Sequence, residues 1–148
     1  MSADRDTQAL RLSIELVPAT SWGANLRALL PAAEWDRLRR QVYAASERRC
    51  VICGARGRLH AHEQWDFDDA RHIQRLRGLV ALCTLCHHVK HLGHARLLAA
   101  RGQLDYERVV AHFLRVNGCD RAAFERHCAA AFTRFDERSR YEWQIELQ

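Results

Sequence analysis

The chain has 148 residues, 48% of them hydrophobic and 28% charged, with a formal net charge of +5. That length suits one domain with a core of its own, and no run of about eighteen apolar residues is present to cross a membrane. The first twenty residues mix charges into an alternating pattern rather than an apolar signal segment, so a soluble, cytoplasmic protein is expected, with its six cysteines reduced.

The elements follow in chain order. Leu10, Leu12, Ile14 and Leu16 alternate with Arg11, Ser13 and Glu15, which predicts a half-buried strand over 9–17 ended by Pro18. Pro31 suits a first helical turn, and Trp35, Leu38, Val42 and Tyr43 recur at helical spacing, which predicts a helix over 32–47. It delivers the chain to Cys50. Residues 58–66 and 78–83 read as short strands, with the stretch DDARHIQRLR between them as a short helix. A helix is expected from Thr84 to Ala100, then one over 105–116 closed by Asn117-Gly118, and one over 121–137. Tyr141, Trp143, Ile145 and Leu147 alternate with polar residues as a last strand, and the two terminal strands are candidates to pair. The expected class is α+β, a mainly helical single domain spanning 1–148.

Chemistry concentrates in the middle of the chain. Cys50, Cys53, Cys83 and Cys86 form two C-x-x-C pairs, and two such turns supply four thiolates to a tetrahedral zinc ion. A site of this kind has no open coordination position, so its expected role is structural. Cys119 and Cys128 lie apart and read as small buried hydrophobes. His87 and His91 follow the last pair at i and i+4, on one helical face, and can share a second cation. The third ligand is expected from the preceding strand, where His62 and Glu63 are the candidates. Such a site would keep positions open for water.

The run "CTLCHHVKH", with the apolar strand "GLVALC" before it, resembles the HNH endonucleases of the ββα-metal (His-Me finger) superfamily, in the form that carries two C-x-x-C pairs. The likeness spans about 48–93. It implies a ββα-metal zinc-finger core, flanked by the N-terminal strand and helix (9–47) and by the C-terminal helices and strand (103–148). It implies structural Zn2+ on the four cysteines, and a second divalent cation (Mg2+, Mn2+, Ni2+ or Zn2+) at the histidines. The activity implied is hydrolysis of phosphodiester bonds in DNA: His62 as general base, His87 as metal ligand with His91 beside it, and Arg56, Arg58, Arg75 and Arg77 neutralising phosphates. Two positions depart from the family pattern. Gly78 stands where the middle Asn belongs, and Ala61 stands where a metal ligand precedes the base. Either His62 becomes a ligand with Glu63 as base, or His60, two residues away on the same strand face, joins the ligands. A non-catalytic zinc module that binds nucleic acid or a protein partner is the alternative. Nearly all the basic charge is arginine, Lys90 being the one lysine, and arginine forks suit phosphate.

Overall fold

The computed structural model describes residues 10–147. Among them are six α-helices and one three-stranded sheet, an α+β architecture. In chain order the elements are α1 (Leu26–Leu29), α2 (Ala32–Ala45), β1 (Leu59–Asp68), β2 (Ile73–Cys83), α3 (Thr84–Lys90), α4 (Leu92–Ala100), α5 (Tyr106–Asn117), α6 (Arg121–Arg138) and β3 (Gln144–Glu146). No helix is long and apolar enough to cross a membrane.

Strands β1 and β2 form an antiparallel hairpin in which His62 faces Val80 and Leu59 faces Cys83. Gln64 pairs with Gly78 but Trp65 pairs with Leu76, so Arg77 is the extra residue of a bulge. The stretch DDARHIQRLR is not a helix. Asp68 accepts hydrogen bonds from the backbone N–H groups of Ala70 and Arg71, and His72 adopts φ 57°, which closes a tight turn. Beyond it Gln74 is buried while Arg75 and Arg77 are exposed, the period-2 pattern of a strand rather than a helical one.

The N-terminal segment corrects the expected pairing of the two ends. Ala9 lies outside the described residues, and residues 10–17 form no strand. Their backbone is held by side chains instead. Asn117 Oδ1 accepts from the N–H groups of Arg11 and Leu12 at 2.8 and 2.9 Å, its Nδ2 donates to the Leu12 carbonyl, and Ile14 N donates to His127 Nε2 at 2.8 Å. With these groups satisfied by side chains, they need no ladder partner. The C-terminal strand forms, shorter than expected, and pairs in parallel with β2, Gln74 opposite Ile145.

The described residues divide into two compact units. One runs from Val17 to Cys83 and resumes at Asp136. Helix α2 packs on both strands of its hairpin, and Phe67 meets the buried Trp143 edge-on at 5.4 Å between ring centroids. The other joins the segment ending at Leu16 to Thr84–Phe135. Its core gathers Leu12, Ile14, Val89, Leu92, Val109, Phe113 and Phe124, all buried.

The helix expected over 84–100 breaks at His91, where φ is −104° and ψ is 52°. The cause is visible at Lys90. Its carbonyl accepts the N–H of Glu15 at 3.2 Å, and its Nζ donates to Glu15 Oε1 at 2.6 Å and to Ser13 Oγ at 3.2 Å. An outside donor thus occupies a carbonyl that an unbroken helix would use. The lysine side chain is 8% exposed and Glu15 is 40% exposed, so removing the carboxylate strands a buried charge whereas removing the lysine frees a solvated one. Glu15→Ala is expected to cost about 2–3 kcal/mol, and Lys90→Met about 1 kcal/mol or less. Urea unfolding of the two variants checks the order.

Candidate metal centres

Cys50 and Cys53 sit on a turn built by backbone hydrogen bonds. Gly54 N donates to the Cys50 carbonyl at 2.9 Å and Cys50 N to the Ala55 carbonyl at 3.0 Å, with Gly54 at φ 77°. A side chain is disfavoured at that φ, which explains the glycine. Val51 N donates to the Ala81 carbonyl at 3.0 Å, fastening the turn to β2 two residues before Cys83. Cys86 follows on the first turn of α3. The four sulfurs all lie within 4.8 Å of one another, and those of Cys53 and Cys83 are 3.6 Å apart. Sulfurs at about 2.3 Å from a tetrahedral zinc are separated by about 3.8 Å, so the donor set fits such an ion. Cys50, Cys83 and Cys86 are buried and Cys53 is half-buried. The remaining thiols differ in kind. Burial pushes the Cys128 thiol up to about 11, and burial with Asp120 nearby raises that of Cys119, so both stay protonated.

The second group is His62, His87 and His91, whose ring nitrogens also lie within 4.8 Å of one another. His62 is buried on β1, while the other two are half-buried, with ring centroids 4.7 Å apart in a T-shaped arrangement. Three imidazoles form a donor set suited to Zn2+ and similar divalent ions, and their number leaves coordination positions for other ligands.

Two expected members are not in this group. His60 shares a strand face with His62 but is not one of the mutually close donors. Glu63, the next residue along the strand, points to the opposite face by the alternation of β1. Its Oε1 accepts the Leu26 N–H at 3.3 Å, while Oε2 is buried without a hydrogen-bond partner among the described residues. Burial raises its pKa above the usual 4.5, outweighing the opposing Leu26 hydrogen bond. The native state therefore holds the Glu63 proton more tightly than the unfolded chain, and stability falls as pH rises above 4.5 through the raised value. Glu63→Gln is expected to raise the urea midpoint at pH 7 and to leave it unchanged near pH 4, the crossover being the check.

Of the arginines, Arg56 and Arg58 are exposed on the loop before β1. Arg75 donates to Glu146 at 2.8 Å, and Arg77 lies 3.8 Å from Asp66. Such exposed pairs are weak and open to exchange. Gln74, on the same strand as Gly78, is fully buried and accepts from Ser21 Oγ at 2.8 Å.

In the sequence His112 reads as a structural or surface group. It is buried, with Nε2 3.1 Å from Cys86 Sγ and Nδ1 2.9 Å from Arg115 Nη2. It lies 26 residues beyond the cysteine it touches, and no local spacing points to it.

No family model, curated protein or solved structure matches this chain.

Proposed function

We propose that the protein is a metal-dependent phosphodiester hydrolase of the HNH type, acting on DNA, with the hairpin β1–β2 and helix α3 as its ββα-metal core. The observation that carries the reading is the convergence of the buried His62, from β1, with His87 and His91, from the turn of helix that directly follows the cysteine cluster. In this reading the four cysteines hold a structural Zn2+ and fix the start of α3. His62, His87 and His91 hold the second cation, which makes His62 a ligand rather than the base. When bound, that cation supplies charge to polarise a phosphoryl oxygen and to acidify water towards a pKa of about 7. The half-exposed His87 and His91 leave the site open to a phosphate, and Arg56 and Arg58 are the cations available to bind its neighbours along a strand.

Incubation of zinc-loaded protein with supercoiled plasmid and added Mg2+, Mn2+, Ni2+ or Zn2+ tests the proposal. Nicked or linear product is expected with at least one of these ions, from wild type and equally from Glu63→Gln. No product with any of them would refute it. A second reading, a zinc module that binds nucleic acid or a protein without cutting, draws on Gly78, where an added Cβ would meet nothing within 4 Å and no side chain stands for the Asn. That reading requires binding without cleavage. Loss of binding as salt rises would mark a nucleic-acid partner, and indifference to salt a protein.

A further inference from the structure

We propose that His112 and Arg115 are outer positioning residues of the four-cysteine centre, supporting the Cys86 thiolate through an N–H···S hydrogen bond whose direction Arg115 fixes. The reasoning starts from donor chemistry. A guanidinium only donates hydrogen bonds, so the contact between Arg115 Nη2 and His112 Nδ1 at 2.9 Å makes Nδ1 an acceptor. In a neutral imidazole the proton then sits on Nε2, the nitrogen 3.1 Å from Cys86 Sγ. Both Cys86 and His112 are buried, at 0% and 4% exposure, so water does not compete for the sulfur.

His112 does not belong to the set of donors that all lie within 4.8 Å of one another, which consists of the four cysteines. It therefore acts on one ligand from outside the tetrahedron. A bond of this type disperses part of the thiolate charge and holds the sulfur in place, the two effects by which groups outside the ligand set govern metal retention. It also ties the ligand helix α3 to α5, whose first residue, Tyr106, lies 20 residues beyond Cys86. This inference rests on a metal at the four cysteines and is independent of the nuclease proposal.

The test is zinc release from the full-length, zinc-loaded protein to a chromogenic chelator, with Co2+ substitution as a spectroscopic readout. Arg115 is exposed on α5, so Arg115→Met is expected to fold normally. His112→Phe removes the donor, and His112→Gln keeps an N–H near the Nε2 position. Release is expected to be about 10–100-fold faster for His112→Phe, several-fold faster for Arg115→Met and close to wild type for His112→Gln. The sulfur-to-cobalt charge-transfer band should move to lower energy in His112→Phe and Arg115→Met, because a sulfur relieved of its hydrogen bond gives up electron density more readily. Wild-type rates and bands in Arg115→Met, with His112→Phe either unchanged or unable to fold, would overturn the proposal. A wild-type protein that holds no zinc would remove the centre itself, which separates failure of the site from failure of its support.

Discussion

Cys86→Ser is expected to strip the chain of its tightly held metal and abolish cooperative unfolding. The four sulfurs come from a turn after α2, the end of β2 and the first turn of α3, so an ion held by them would close long segments of chain around one point. Structural zinc of this kind contributes on the order of 10 kcal/mol or more, as large as the whole stability of an ordinary domain. The loss should appear as absent zinc in elemental analysis and a broad, non-cooperative thermal transition. Cys119→Ser serves as the control: its thiol is held protonated and outside the cluster, and that variant should keep both metal and transition. A Cys86→Ser protein that unfolds as sharply as wild type would show that the sulfurs are neighbours without a shared ion.

His87→Ala should leave the fold standing and remove the second cation. His87 is half-buried, contributes no core volume, and sits one turn from His91, so truncation deletes a ligand with little packing loss. Loss of a group outside a ligand set commonly costs about 10–100-fold in metal affinity or activity, and loss of a ligand itself should exceed that. On the nuclease proposal, plasmid cleavage is therefore expected to fall more than about a hundredfold while the thermal midpoint stays near wild type. Cleavage that survives in His87→Ala would come from another site or another protein.

Local spacing made the metal chemistry legible. A C-x-x-C turn brings its own sulfurs together, and residues at i and i+4 share a helical face wherever the helix lies, so both groups are readable except for the third ligand, His62 or Glu63. The alternation of β1 already held that choice. Once 58–66 is read as a strand, His62 and Glu63 must face opposite sides, which removes Glu63 from the imidazole group. Other features depend on contacts no local pattern carries. Leu10 to Leu16 alternates as a strand would, yet its N–H groups are taken by Asn117 and His127, more than a hundred residues away. The break at His91 follows from Glu15 reaching the Lys90 carbonyl. The first half of β2 was hidden because acidic residues before an apolar-polar mixture also mark a helix start.

Calorimetric titration of Mn2+ or Ni2+ into zinc-loaded protein tests the two-centre account most directly. One further site per chain is expected in wild type, lost in His62→Ala, His87→Ala and His91→Ala alike, with the tight zinc retained in all three. Binding that persists unchanged in these variants, or no binding in the wild type, would contradict it.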